Sequence, residues 1–242
     1  MKINKFNNLY QLILWPNLFP VNCYIFEELH ELTLIDTGMP ASFIGIAKTI
    51  EELNKPLTNI VLTHAHGDHV GSIMKCKEEF PDACVSISLR DHRLLKGDTS
   101  LDENEPQTPI KGGVPKNLNV VADRLLKEGD KIGSLEAVET PGHTPGSISL
   151  LDRNTGALIV GDAFQTQGKV AVCGQLVISF PFPAFGTWNK ELSLESAKKI
   201  HQLSPSLLAA GHGKVLTSPE ESIKRGIIEA ERKLSAQMTK EA

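Results

Sequence analysis

The chain has 242 residues, 40% of them apolar, and a net charge of −4, which suits one large domain with a sizeable core. Lys and Arg are spread along it, and the pairs Lys224-Arg225 and Arg232-Lys233 sit in a mixed-charge segment that reads as a solvated helix face. There is therefore no basic stripe of the kind a nucleic-acid partner requires. The apolar run Leu12 to Trp15 closes on Pro16 without a small-residue cleavage site, and nothing approaches the length of a membrane-spanning helix. The four cysteines (Cys23, Cys76, Cys84, Cys173) lack CxxC spacing, so reduced thiols in a cytoplasmic protein are expected.

Asn8 to Trp15 is extended in character. Val21 to Phe26 and Glu31 to Ile35 read as two apolar strands across a short polar turn, a hairpin ending on Asp36-Thr37-Gly38. Ile44, Ala47, Ile50 and Leu53 recur at helical spacing and predict a helix before Pro56. Asn59 to Leu62 is a short buried strand that runs into Thr63-His64. A helix from about Ser72 to Glu79, a strand Cys84 to Ser88 and a short helix near Asp91 to Lys96 follow. Gly97 to Asn119 is rich in Gly, Pro, Asp and Glu with almost no apolar periodicity, and a loop of that length is either a lid or a disordered excursion. Its acidic residues Asp98, Asp102, Glu103 and Glu105 read as solvated.

After a turn at Glu128-Gly129-Asp130, Ser134 to Glu139 predicts a strand leading to Thr140-Pro141-Gly142-His143. Ser147 to Leu151 and Ala157 to Val160 form a second hairpin around Arg153-Asn154-Thr155-Gly156, delivering Gly161-Asp162. Phe164 to Thr187 is irregular and carries Phe180, Phe182 and Phe185. Then come a helix from about Asn189 to Leu203, the strand Ser206 to Ala210, and Gly211-His212-Gly213. The last helix opens on a capping box, with Ser218 as N-cap, Pro219 in the first position and Glu221 three residues on. Each half contains an apolar hairpin closing on an aspartate, Leu34-Ile35-Asp36 and Val160-Gly161-Asp162. That pattern suggests two related halves, each a sheet with helices on its outer face, and the hairpins argue against an all-parallel doubly wound sheet.

Five of the eight histidines stand at loop positions directly after apolar strands. In His64-Ala65-His66-Gly67-Asp68-His69 small residues fill the gaps, so the backbone can turn tightly and aim four polar side chains at one point. Imidazole and carboxylate together are the donors a zinc-like ion prefers. One ion takes about four protein ligands, so His143, Asp162 and His212 in addition imply a second ion. A lone His143 or His212 would read as an ordinary loop histidine; Thr-Pro-Gly before the first, and glycines around the second, make them ligands beside the cluster. Asp162 by itself would equally suit a turn or a helix cap. His30, His92 and His201 lack such context and read as structural or surface residues. Asp36 reads as a backbone-bonding turn residue that braces the site rather than as a ligand.

His64-Ala65-His66-Gly67-Asp68-His69 resembles the HxHxDH motif of the metallo-β-lactamase superfamily. The likeness covers nearly the whole chain, through Asp36-Thr37-Gly38, Gly142-His143-Thr144-Pro145-Gly146-Ser147, Gly161-Asp162 and Gly211-His212-Gly213, in the family's order. It implies an α+β fold, a four-layer αββα sandwich of two mixed sheets with outer helices, in a single domain over residues 1–242. It assigns His64, His66 and His143 to one metal, Asp68, His69 and His212 to a second, and Asp162 to the bridge. The implied cofactors are two divalent ions, zinc by default, with manganese, iron or cobalt as alternatives. The implied reaction is hydrolysis of a small carbonyl ester, lactone or thioester by a hydroxide bridging the metals, with Asp68 orienting the nucleophile and carrying the proton. A glyoxalase II-like thioesterase, or a non-hydrolytic metal-binding or redox relative, are the alternative readings.

Two departures bear on substrate. Lactonases of the family carry a tyrosine after the bridging aspartate, whereas Tyr10 and Tyr24 are the only tyrosines here. Glyoxalase II carries a C-terminal helical domain, and the stretch after His212 reads as a helix or so. The expected partner is a small molecule, with no nucleic acid and no membrane. Phe180, Phe182, Phe185 and Trp188 are expected to border the pocket.

Overall fold

The computed structural model describes residues 1–115, 118 and 120–241. They form two compact units, residues 1–99 with 113–137 and residues 100–112 with 138–242. The first unit holds a seven-stranded sheet in sequence order: β1 (Lys2–Phe6), β2 (Leu9–Leu14), β3 (Val21–Glu27), β4 (Leu32–Ile35), β5 (Leu57–Val61), β6 (Cys84–Ser88) and β7 (Arg124–Leu126). Strands β1 to β4 pair antiparallel and β4 to β7 parallel. Residues Val21 to Phe26 of β3 are all buried, so this strand is covered on both faces and is apolar but for Asn22. The first expected hairpin is β3 with β4, Tyr24 opposite Ile35 and Glu27 opposite Leu32. Strand β1 has no counterpart among the expected elements. Its sequence, Lys-Ile-Asn-Lys-Phe, is mostly exposed, so there is no buried face to mark it.

Four helices accompany this sheet: α1 (Phe43–Leu53), α2 (Gly67–Val70), α3 (Ile73–Glu79) and α4 (Leu89–Leu95). Helix α1 buries Ile46, Thr49 and Ile50, and ends on Asn54 in the left-handed region, φ +50°, its N–H reaching Ile50 O and Glu51 O. A hairpin of β8 (Lys131–Ile132) and β9 (Leu135–Glu139) follows.

The second sheet has the order β15-β14-β11-β10-β9-β8, with β10 (Ile148–Asp152), β11 (Ala157–Gly161), β14 (Leu207–Ala210) and β15 (Leu216–Thr217). Between Asp162 and Thr187 the expected irregular segment contains a two-residue ladder, β12 (Phe164–Gln165) on β13 (Ala171–Val172), and a short helix α5 (Phe182–Gly186). Helices α6 (Lys190–Gln202) and α7 (Glu220–Glu241) complete the unit, whose core gathers Leu158, Val160, Phe164, Ile200, Leu208 and Ile223. Ser218 is not the cap of α7. Its φ is +51°, its N–H is committed to Ser206 O at 2.9 Å, and Pro219 O accepts from Ile223, so the helix is entered one residue later than expected.

The suspected relation between the halves is visible in the topology. Hairpin β3–β4 is followed by α1 and by β5 parallel to β4, and hairpin β10–β11 by α6 and β14 parallel to β11. The hairpins end on Asp36 and Asp162, and the parallel strands run on toward His64 and His212.

The long segment from Gly97 is irregular but tied down. Asp102 N–H donates to Glu105 Oε2 at 2.9 Å, Gln107 Nε2 donates to Asp102 O at 2.9 Å, and Thr108 O accepts from Trp188 Nε1 at 2.8 Å. Lys116, Asn117 and Asn119 of that expected loop lie outside the described residues. Among the described residues no helix is long and apolar enough to cross a membrane. All four cysteines are unbridged, three of them buried.

On helix α7 the Glu229 carboxylate takes two ammonium groups, Lys169 at 2.6 Å and Lys233 of the same helix at 2.7 Å. These two ammonium groups hold its carboxyl down to about 2 against an ordinary 4.5. A depressed carboxyl stabilises the fold above its unfolded value, and the gain is lost as pH falls through the folded one. Glu229→Gln should therefore cost about 1 kcal/mol or less near neutrality, since the pairs are partly exposed. In urea titrations that difference from wild type should shrink as the pH is lowered from about 4.5 toward 2.

Candidate metal centre

In the first unit the motif residues sit where β5 gives way to α2. His64 and His69 are fully buried, His66 is nearly so, and Asp68 is half-buried in the first turn of α2. The expected tight turn is thus a single helical turn, capped by the His66 carbonyl, which accepts from His69 at 2.9 Å and Val70 at 3.0 Å. The rings of His64 and His66 lie 4.8 Å apart edge to face, and those of His64 and His69 lie 4.0 Å apart.

Asp36 organises this cluster, as the sequence suggests. Its φ is +58°, a conformation that turns the carboxylate back over the strand end. Oδ1 accepts the Thr63 N–H at 2.8 Å, while Oδ2 accepts the Thr63 hydroxyl at 2.8 Å and faces His69 Nδ1 at 2.8 Å. With its proton committed to Asp36, the Thr63 oxygen can only accept from His64 Nδ1, 3.0 Å away. Both rings are thereby fixed as Nδ1–H tautomers that present the Nε2 lone pair. Thr37 adds a brace, its N–H and hydroxyl both donating to His69 O.

In the second unit the same logic recurs with neutral partners. Thr187 Oγ1 donates to Pro183 O at 2.6 Å, so it accepts from His143 Nδ1 at 3.1 Å and again leaves Nε2 as the donor atom. His143 Nε2 and His212 Nε2 both converge on Asp162 Oδ2, at 3.4 and 3.3 Å, and all three residues are nearly inaccessible. The turn bearing His143 is pressed onto the start of α6. Gly142 O accepts from Asn189, His143 O from Trp188, and Pro141 O from the Ser196 hydroxyl. His212 is held through its carbonyl, which accepts the Thr166 N–H at 2.9 Å, while the Thr166 hydroxyl donates to Lys214 O at 2.7 Å.

The donor set fits a divalent metal: buried imidazoles with Nδ1 anchored to oxygen and Nε2 directed inward, accompanied by carboxylates. His30 is exposed and His201 half-buried on α6, as read from the sequence; His92 is half-buried on α4. The aromatics divide. Phe180 and Trp188 are buried, with Phe180 5.1 Å from the His212 ring, while Phe182 and Phe185 are 53% and 67% exposed. Two supporting residues escape sequence reasoning. Thr187 lies 44 residues from the histidine it orients. Asp91, buried in α4, accepts the Ala65 N–H at 2.8 Å from 26 residues away. No local pattern marks either.

Known proteins resemble this chain along most of its length. The profile of the family described as the metallo-beta-lactamase superfamily matches residues 16–212. YobT of Bacillus subtilis is 53% identical over 96% of this chain and 100% of that protein. The probable metallo-hydrolase YflN of Bacillus subtilis is 31% identical over 79% of this chain and 78% of its own length. The hydroxyacylglutathione hydrolase GloC of Haemophilus influenzae is 27% identical, covering 84% and 90% respectively. Among solved structures, the B3 metallo-beta-lactamase BLEG-1 superposes with a TM-score of 0.64 at 25% identity, over 88% of this chain and 95% of that one. VMB-1 superposes with a TM-score of 0.72 at 20% identity, over 98% and 97%. The α+β class and the metallo-β-lactamase-like fold expected from the sequence are those of these structures.

Gly142 offers a test of how tightly the His143 turn is built. Its φ is +137°, and a Cβ there would stand 2.4 Å from the backbone nitrogen of Ser193. Gly142→Ala should destabilise by about 2–4 kcal/mol through strain and overpacking. Gly97→Ala, at φ +82° with nothing within 4 Å, should cost only about 1–2 kcal/mol. Denaturant melts of both variants check the contrast; equal losses would mean that backbone conformation alone matters.

Proposed function

Because this chain belongs to the metallo-β-lactamase superfamily, whose relatives are named as hydrolases, we propose that it is a dinuclear metal-dependent hydrolase of small carbonyl esters, lactones or thioesters. In this reading residues 1–242 act as one hydrolase domain. His64, His66 and His143 hold one ion, Asp68, His69 and His212 the other, and Asp162 bridges them. The observation that carries it is the position of Asp162 Oδ2, 3.4 Å from His143 Nε2 and 3.3 Å from His212 Nε2, histidines that belong to different metals in this assignment. The close pair His64 and His69 is likewise divided between the two ions.

Held by these residues, two divalent ions would supply a water of lowered pKa and an electrophile for a carbonyl oxygen. The protein's own residues do the rest. Asp162 offsets the repulsion between the cations. Asp68, the half-buried carboxylate of the motif, orients the attacking water and passes its proton to the leaving alkoxide or thiolate. Zinc is the default ion, with manganese, iron or cobalt as alternatives. Likeness to GloC favours a thioester among the three substrate classes. The four unbridged thiols suit the cytoplasmic location expected from the sequence.

The apolar side chains near His212 bear on the acyl group. Phe180 packs on the His212 ring, Phe182 packs edge-on against Phe180 at 5.3 Å, and Phe182 and Phe185 are exposed beyond it. An acyl chain would find apolar surface there, one ring away from a metal ligand.

Protein purified without chelator should contain about two metal equivalents per chain, and stripping them should lower the melting temperature. Saturation at one equivalent would sink the dinuclear reading. Asp162→Ala should lose metal from both positions, whereas Asp68→Asn should keep at least one ion while turnover falls about a hundredfold or more. Phe182→Ala should raise KM for an octanoyl thioester more than for an acetyl thioester. Equal effects on both, with lowered stability, would make the ring a packing element only.

A further inference from the structure

The turn that carries His64 and His66 is held at two points by buried carboxylates of the same unit. Asp36 grips it at Thr63, through the N–H and the hydroxyl. The second grip is Asp91. Its side chain is completely buried, and its Oδ2 accepts the N–H of Ala65, the single residue between the two histidines, at 2.8 Å. Asp91 is itself fixed in the first turn of α4, where its N–H donates to the capping Ser88 hydroxyl at 3.1 Å.

We propose that Asp91 is a positioning residue for the metal centre, its carboxylate fixing the peptide between His64 and His66 so that both imidazoles face the same ion. The inference rests on the metal-binding reading of the preceding section. The mechanical argument is direct. Side chains two residues apart converge only if the intervening peptide is rotated into one orientation, and a peptide is rotated by what its N–H and carbonyl bind. Ala65 is fully buried and contributes no side chain that could set that orientation. A charged acceptor on its N–H makes a stronger bond than a neutral one would. Loss of that acceptor leaves a buried N–H unsatisfied and the peptide able to turn.

Asp123 provides an internal control. It performs the same service elsewhere in the unit, accepting the Val85 N–H at 2.8 Å, at the far end of β6 from Ser88 and the ligands. The experiment measures zinc affinity by competition with a chromophoric chelator, alongside the melting temperature of the metal-free protein. It uses the full chain as wild type, Asp91→Ala, Asp91→Asn and Asp123→Ala. Asp91→Ala should weaken the tighter zinc step about tenfold or more, in the range seen when supporting hydrogen bonds of metal ligands are removed. Asp91→Asn, which keeps an oxygen acceptor, should recover most of that loss. Asp123→Ala should lower the metal-free melting temperature and leave zinc affinity unchanged.

Zinc affinity in Asp91→Ala within about twofold of wild type would overturn the proposal, and so would an equal loss in Asp123→Ala. Should Asp91→Ala not fold, Asp91→Glu serves in its place, because it keeps the charge but moves the acceptor by one methylene. It must weaken zinc binding, and unchanged affinity there is equally fatal. A wild-type protein that binds no zinc, manganese, iron or cobalt would instead bring down the metal-binding reading, and this inference with it.

Discussion

Everything at this centre depends on one requirement: a buried imidazole that is to donate from Nε2 must have its Nδ1–H satisfied where water does not reach. An unmet polar group there costs on the order of 1–3 kcal/mol, and a ring without an anchored Nδ1 is also free to take the other tautomer. The chain meets the requirement with oxygen atoms that are themselves oriented. Asp36 takes the protons of Thr63 and His69, and Thr63, left only with lone pairs, takes the proton of His64. Thr187 is forced into the same role by the Pro183 carbonyl and serves His143. His64, His69 and His143 are thus each oriented by an oxygen that is itself hydrogen-bonded, and these oxygens belong to residues at strand ends or beside a short helix.

The fold repeats a hairpin, a helix and a parallel strand in both units. A hairpin end is a place where the chain leaves the ladder and its side chains become available, and a parallel strand beside it brings a second such end to the same edge. In the first unit the hairpin ends on Asp36 at φ +58°, and in the second on Gly161 at φ +48°, just before Asp162. The same backbone turn therefore delivers a brace in one unit and a proposed bridging ligand in the other, one residue later. Gly211 N–H donates to Gly161 O at 2.7 Å, the counterpart of Leu62 and Asp36 tying strand ends together in the first unit through Ser86 O and Val61 O.

The histidine cluster and most strands were legible because both are local. Six consecutive residues hold the dense cluster, and buried strands such as β3 and β11 are mostly apolar runs. Asp36 as a brace was legible too, since a strand-end Asp-Thr-Gly has few other uses. Strand β1 was not, for it is an edge strand, Lys-Ile-Asn-Lys-Phe, with no buried face. The start of α7 was misplaced because a capping box is a local pattern, and the tie between Ser218 and Ser206 is a tertiary one. Thr187 and Asp91 were invisible for the same reason: their partners stand 44 and 26 residues away, and nothing in a threonine after a loop or an aspartate in a helix announces such a contact.

The two units brace these residues differently, and the difference has a consequence. In the first unit the supports are charged, Asp36 and Asp91, both inaccessible. Buried carboxylates are costly to maintain, and they recover that cost only through several short bonds or a nearby cation. Asp36 has its three bonds, so this half is built to be rigid and to concentrate negative potential where cations would sit. In the second unit the supports are neutral groups, from Thr187, Thr166 and Gly142, and Asp162 carries the charge among the proposed ligands. This half also continues through Phe180 into the exposed rings of Phe182 and Phe185. A neutral, aromatic surround favours contact with an apolar acyl group, while a charged, inaccessible one favours metal retention. Substrate preference should accordingly respond to changes in the second unit, whereas the charged braces of the first bear on metal retention together with Asp162.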